Sequence, residues 1–190
     1  MKKLRVLIAC EFSGRVRDAF RARGHDAISC DLLPTERPGP HIQGDVIKQL
    51  GYCWDLIIAF PPCTRLCNSG VRWLRERDLW EEMIDAAVFF RTILTKGPCD
   101  RRAAENPIMH RYAKKIIGCE PDQIIQPWQF GHGETKATCL WLKNLRKLKP
   151  TNIVTGREHR IHLMPKTANR GKLRSTTFQG IADGMAAQWG

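Results

Sequence analysis

The run from Trp54 to Phe60, WDLIIAF, followed at once by Pro61, Pro62 and Cys63, limits this chain more than any other stretch. Consecutive apolar residues without polar alternation suit a strand covered on both faces, as in a parallel sheet. Two prolines then remove two backbone donors and hold φ at about −65°, so the ladder stops and the chain leaves the sheet. Cys63 is therefore carried on a stiff turn at a strand end. A free cysteine also packs readily as a small hydrophobe, and the rest of the sequence must decide between the two roles.

The same grammar recurs along the chain. LRVLIAC, residues 4–10, reads as a first buried strand; EFSGRVRDAFRARG then gives a turn at Ser13 and Gly14 and a helix stopped by Gly24. HDAISCD reads as a second strand ending at Asp31, LLPTERPGPHIQGD as a proline-rich loop to Asp45, and VIKQLGYC as a short helix. After WDLIIAF come a polar loop and a long amphipathic helix over DLWEEMIDAAVFFRTILT. RRAAENP is a short strand, MHRYAKKIIG a helix, DQIIQPWQFG and TKATCLWLKNL strands, and TFQGIADGMAAQWG a closing helix. Alternating strands and helices predict a doubly wound, Rossmann-like α/β sheet, mostly parallel, in a single domain over residues 1–190. In such sheets ligands lie outside the carboxyl ends of the strands, so Ser13–Gly14, Asp31, Asp45, Pro61–Cys63 and Glu105–Asn106 should converge on one edge.

Composition narrows the partners. Lys and Arg number 31 against 19 acids, for a net charge of +12, which favours polyanions such as nucleic acid. Between Lys143 and Arg174 ten basic residues face one acid, Glu158. No apolar run approaches the roughly 20 residues that span a bilayer, and the N-terminus lacks a cleavage pattern, so a cytoplasmic protein without membrane contact is expected. Eight cysteines contain no C-x-x-C pair; neither a metal site nor a disulfide scaffold is expected, and Cys67 reads as a bystander.

An acid after the second strand commonly accepts hydrogen bonds from ribose hydroxyls, and Asp31 fits. The first loop has one glycine and no G-x-G-x-x-G, so it lacks the pyrophosphate cradle. A nucleoside cofactor without phosphates fits better, namely S-adenosylmethionine.

Four motifs then resemble the DNA cytosine-5 methyltransferase family, in order and spacing. Phe12-Ser13-Gly14 resembles its Phe-x-Gly, Gly44-Asp45-Val46 its Gly-Asp-Ile, Phe60-Pro61-Pro62-Cys63 its catalytic Pro-Cys motif, and Glu105-Asn106 its Glu-Asn-Val. The resemblance covers roughly residues 4–142. It implies Cys63 as the nucleophile that adds to carbon 6 of cytosine, Glu105 as the acid at ring nitrogen 3, Asn106 as its catalytic neighbour in the Glu-Asn motif, and Lys136 in the remnant of the arginine-bearing eighth motif. It implies a cofactor site made by Phe12, Ser13, Gly14, Asp31, Leu32, Asp45, Val46 and Pro61. Where that family carries a target-recognition domain, this chain has the short basic segment 143–177. Lys143, Arg146, Lys147, Arg157, Arg160, Arg170, Lys172 and Arg174 are its candidate phosphate contacts, and sequence specificity would be low or supplied by a protein partner. A duplex DNA substrate would require base flipping. Phe130-Gly131 aligned with the eighth motif leaves Glu134, Lys136 and Thr138 where that family has arginines. This departure keeps two alternatives open: pyrimidine modification in RNA or a nucleotide, and a catalytically silent nucleic-acid-binding protein. Small size suits a phage or mobile-element gene.

Overall fold

The computed structural model describes residues 2–190. Seven strands, β1 (Arg5–Ala9), β2 (Asp26–Asp31), β3 (His41–Gln43), β4 (Leu56–Ala59), β5 (Arg102–Pro107), β6 (Gln123–Ile125) and β7 (Thr138–Lys143), form one sheet in the order β3-β2-β1-β4-β5-β7-β6. The pairings from β3 to β5 are parallel, and β7 runs antiparallel to both its neighbours. Seven α-helices accompany them: α1 (Arg15–Ala22), α2 (Val71–Glu76), α3 (Trp80–Thr95), α4 (Arg111–Ile117), α5 (Arg160–Leu163), α6 (Arg170–Ser175) and α7 (Gln179–Trp189).

The uninterrupted apolar strands are explained by two cores. Successive side chains on a strand point to opposite faces. Val6, Ile8, Leu56 and Ile58 pack with Val16 and Phe20 of α1 and Met185 and Trp189 of α7. Leu7, Ala9, Ile57 and Ala59 pack with Met83, Ala87, Phe90 and Ile93 of α3 and Ala113 and Ile117 of α4. Phe90 meets Trp141 of β7 edge-on, with ring centroids 4.9 Å apart, a contact that adds about 0.5–1.5 kcal/mol to simple burial. Both sheet faces are thus covered, as the sequence predicts.

The ends of the helices are set by buried charge. α1 has no side-chain cap at Gly14; instead Glu11 Oε1 accepts from Val16 N at 2.9 Å and from Ser13 Oγ at 2.9 Å. The fully buried Arg102 donates to the carbonyls of Ile93 (2.6 Å), Gly97 (3.0 Å) and Cys99 (2.8 Å), and so satisfies the orphan acceptors after α3.

Several elements differ from the sequence reading. The proline-rich loop contains β3, because Ser29 N bonds to Pro40 O at 3.2 Å and His41 is clasped between Ser29 Oγ (2.9 Å) and Leu33 O (3.0 Å). The expected helix after Asp45 is one 3-10 turn, Val46–Lys48, and the polar loop after Cys63 contains α2. The strand expected over DQIIQPWQFG stops at Ile125, since Pro127 opens a 3-10 turn. The basic segment carries two short helices, α5 and α6, and its backbone at Thr151, Asn152 and Val154 bonds to Gln129 O and Trp128 O.

Candidate active site

The parallel strands β1, β2, β4 and β5 end on one edge, and the loops carrying Ser13–Gly14, Asp31, Pro61–Cys63 and Glu105–Asn106 leave the sheet there. Phe60 N bonds to Ala9 O at 2.9 Å, the last ladder bond before Pro61 breaks it. The turn after Pro62 is then held from β5 and the start of α4. Asn106, fully buried, donates from Nδ2 to Pro61 O at 3.0 Å. Cys67 bridges Met109, Asn68 N bonds to Ile108 O (3.0 Å), and His110 N bonds to Leu66 O (3.0 Å). His110 Nδ1 accepts from Ala113 N, so its Nε2–H donates to Arg65 O at 2.9 Å. Asn106 is thus a positioning residue for the Cys63 turn.

Around the half-buried Cys63 lie a carboxyl and an ammonium. Burial pushes Glu105 above the usual carboxylate range, opposed by Lys136 and by a hydrogen bond from Thr138. Cys63 is pushed up first by its hydrogen bond with Cys67, then by burial and by the charges of Cys67 and Glu105, with Lys136 opposing. Lys136 Nζ donates to Arg174 O at 2.8 Å. Glu105, Lys136 and Thr138 line a cavity with Phe60, Thr177, Phe178, Ile181 and Met185. Glu134 turns away from this cavity and pairs with Arg160. Of the three residues aligned with the eighth motif, Lys136 and Thr138 therefore reach Glu105 and Glu134 does not.

A neighbouring cavity of about 30 Å³ shares Phe60 and Thr177 and is lined by Cys10, Glu11, Phe12, Ser13, Ser175 and Thr176. Asp31 and Asp45 are close enough to raise the Cys10 thiol electrostatically, after burial, so the ends of β1, β2 and the 3-10 turn do converge. Asp31 Oδ1 accepts from Leu33 N and Asp45 Oδ1 from Ile47 N, each at 2.9 Å. Among the described residues neither pairs with a cation. Glu11 Oε2 is buried without a hydrogen-bond partner. This acceptor-rich lining beside the Phe12 ring fits a ligand with hydroxyl, amino and ammonium donors.

Other candidate cofactor residues have structural work. Ser13 supports α1 through Glu11, and Gly14, at φ 72°, leaves room for Arg17, whose Nη2 would lie 2.5 Å from an added Cβ. Val46 is buried in the core, Pro61 O holds Asn106, and Leu32 is 74% exposed.

The basic segment is divided by the sheet. Because β7 is antiparallel, Thr138 pairs with Pro107 at the site edge and Lys143 with Arg102 at the opposite edge. Lys143, Arg146 and Lys147 are therefore not brought to the site. Lys143 lies 4.0 Å from Asp100, and Arg146 O accepts from Trp189 Nε1 at 3.0 Å. The chain then returns. Arg157 stacks on Trp128 at 3.8 Å, Arg170 Nε donates to Met164 O at 2.8 Å, and Arg160 pairs with Glu134 and Glu158. Lys172 pairs with Glu36 at 2.8 Å and lies 5.2 Å from the Phe12 ring centroid, beside Arg174. Among the described residues no three His, Cys, Asp or Glu side chains cluster as a metal site requires, and no helix is long and apolar enough to cross a membrane.

Sequence reading missed Glu11, Arg17 and the closing stretch Ser175–Phe178, none of which lies in a motif that the sequence singled out.

This geometry belongs to a methyltransferase fold. The structure superposes on a methyltransferase of Entamoeba histolytica, EhMeth, with a TM-score of 0.53 and 14% identity over 89% of this chain and 62% of that one. A second similar structure is the Schizosaccharomyces pombe Dnmt2 methyltransferase, with a TM-score of 0.48 and 15% identity over 89% of this chain and 56% of that one. The chain spans less than two thirds of either. No family model and no curated protein matches it.

Proposed function

We propose that the protein is an S-adenosylmethionine-dependent methyltransferase of the cytoplasm that acts on carbon 5 of cytosine in DNA through a covalent adduct on Cys63. The single observation that carries this is the meeting of Cys63, Glu105 and Lys136 on one sheet edge, with Asn106 clamping the Pro-Pro turn. Carbon 5 of cytosine is a weak nucleophile. Addition of the Cys63 sulfur at carbon 6 makes carbon 5 enamine-like, so that carbon 5 can form the bond to the methyl group; loss of the carbon-5 proton and expulsion of the sulfur then restore the ring. Glu105, whose carboxyl burial pushes above the usual range, hydrogen-bonds ring nitrogen 3 and draws electron density as the sulfur adds. Lys136 balances the charge beside it.

Phe12, Asp31, Asp45 and Glu11 would hold the cofactor, which supplies an electrophilic methyl group when bound. The cavity beside Phe12 is about 30 Å³ and is flanked by Ser175–Thr177. The cytosine must leave the duplex stack to reach Cys63. Arg157, Arg170, Lys172 and Arg174 would meet phosphates, and with no larger recognition surface in the segment a protein partner would supply sequence specificity.

The test is a duplex containing 5-fluorocytosine, incubated with the methyl donor. A covalent adduct on Cys63 is expected, lost in Cys63→Ala. A chain that binds the donor yet traps neither single- nor double-stranded DNA overturns the reading. The division of the basic segment favours one second reading, a smaller pyrimidine substrate in RNA or a nucleotide. Labelled methyl transfer to those and not to DNA would establish it.

A further inference from the structure

His132, half-buried and unused by the chemistry above, pins the wall that the two cavities share. Thr177 lines both cavities, and Phe178 lines the one that holds Glu105 and Lys136. These residues lead straight into α7, whose N-cap position is Phe178 and so offers no side-chain acceptor to the first turn. The first N–H groups of a helix have no partner within it and need one from outside. His132 supplies it: its Nε2 accepts from Gly180 N at 2.9 Å, and its ring lies against Phe178 with centroids 5.0 Å apart. The close approach requires glycine at 180, since an added Cβ would collide with Phe130 O. On the other side of Phe178, Arg15 of α1 donates from Nη1 to Thr177 O at 3.2 Å. The wall is thus held at two backbone groups, by one acceptor and one donor.

Only the histidine pin depends on protonation. A backbone N–H can only donate, so the bonded Nε2 carries the lone pair and the neutral ring keeps its hydrogen on Nδ1. An imidazolium donates from both nitrogens and would set an N–H against Gly180 N. The charged groups facing His132 are Arg15 from α1, Asp183 from α7 and Glu134 from its own segment. Glu134 is taken up by Arg160, and Asp183 accepts from Gln179 Nε2 at 2.9 Å. Burial, with Arg15 assisting and Glu134 and Asp183 opposing, holds His132 below the ordinary histidine value.

We propose that His132 is a positioning residue for the reaction at Cys63, holding Thr177 and Phe178 in the site through Gly180 N while its ring is neutral and releasing them when the ring is protonated. It acts through the wall and touches neither cytosine nor methyl donor. The link to methyl transfer rests on the proposed function; the pin itself does not.

Two measurements on the full chain test it. Protection of the Gly180 amide against hydrogen exchange, relative to an unstructured chain, is followed by NMR from about pH 5 to pH 8 in wild type, His132→Gln and His132→Phe. The wild-type His132 ring is titrated in the same samples. In wild type, protection falls by roughly tenfold for each pH unit below the ordinary histidine value of about 6.5, until the ring in the closed wall is itself protonated. His132→Gln, whose amide oxygen reaches the same point and does not titrate, keeps its protection across the range. His132→Phe keeps a ring against Phe178 but has no acceptor, and loses protection at every pH. A His132 ring that titrates at or above about 6.5, or that carries its hydrogen on Nε2, overturns the proposal without recourse to any variant. Fluorocytosine trapping is then compared between wild type and His132→Gln, since their ratio cancels the pH dependence of Cys63. That ratio falls toward acid pH with the midpoint of Gly180 protection, and a constant ratio overturns the positioning role. The expected protection profiles with no trapping by either protein would sink the methyltransferase reading and leave the pin on Thr177 and Phe178 standing.

Discussion

Glu105 joins stability to chemistry at a single side chain. Its carboxyl is raised first by burial, and Lys136 and Thr138 offset only part of that cost. A group whose folded pKa lies above its unfolded value binds more protons in the folded state. Its contribution is therefore complete at acid pH and is lost as pH rises from the ordinary glutamate range, about 4.3, through the raised value. Glu105→Gln removes this loss. The variant is expected to melt at the wild-type temperature near about pH 4 and above it near about pH 7–8, while adduct formation falls by roughly 10²–10⁴ because the amide cannot supply a proton. Scanning calorimetry across that range checks the first part, and a wild-type advantage that grows with pH would contradict it. At this scale Cys63, Glu105 and Lys136 were legible because each follows a strand end or a recognisable motif. Glu11 was not, since only the fold brings its carboxyl onto Val16 N and Ser13 Oγ. Asn106 read as a member of the catalytic set, and the structure adds a bond the sequence did not show, from its amide to the Pro61 carbonyl 3.0 Å away.

The elements that frame the cofactor side depend on a buried cation. Arg17 of α1 has no solvent exposure; it donates to Ser29 Oγ (3.3 Å), Thr35 Oγ1 (3.2 Å), Arg37 O (3.0 Å) and Pro38 O (3.2 Å) and pairs with Asp18 at 2.8 Å. One guanidinium thereby ties α1 and β2 to the proline-rich loop, and Gly39 supplies the space, since an added Cβ there would lie 2.7 Å from Arg17 Cζ. Arg17→Met leaves these acceptors bare and is expected to cost about 3–5 kcal/mol. Arg17→Lys is not a rescue, because one ammonium lacks the planar fork. Urea unfolding measures the loss, and limited proteolysis should cut within residues 32–40 before the rest of the chain. The strands were read well because burial on both faces writes an unbroken apolar run into the sequence. β3 and α2 escaped because they are short, three and six residues, and β3 is held by its neighbour Ser29 on His41 rather than by a pattern of its own. The direction of β7 was equally hidden, as its apolar run looks the same parallel or antiparallel.

Across the whole molecule that direction decides where the charge lies. The net charge of +12 suggests a general attraction for phosphate, yet the antiparallel β7 sends Lys143, Arg146 and Lys147 to the edge opposite the site. Only the later part of the segment returns, with Lys172 over Phe12 and Arg174 O on Lys136. Phosphate contacts release counterions, so each contact removed lowers the slope of log K against log salt by about 0.9 for duplex DNA. Neutralising Arg170, Lys172 and Arg174 to Gln should reduce that slope by about 0.9 for each contact made and weaken fluorocytosine trapping in step. Neutralising Lys143, Arg146 and Lys147 should weaken nonspecific binding at low salt through long-range attraction alone, and leave trapping on Cys63 unchanged at about 0.15 M salt, where the screening length is about 8 Å. Fluorescence anisotropy over a salt series, with trapping measured on the same variants, separates the two. Equal loss of trapping from both triplets would mean that the duplex wraps past the sheet edge, and the site would then be larger than the one framed by Phe12, Cys63 and Glu105.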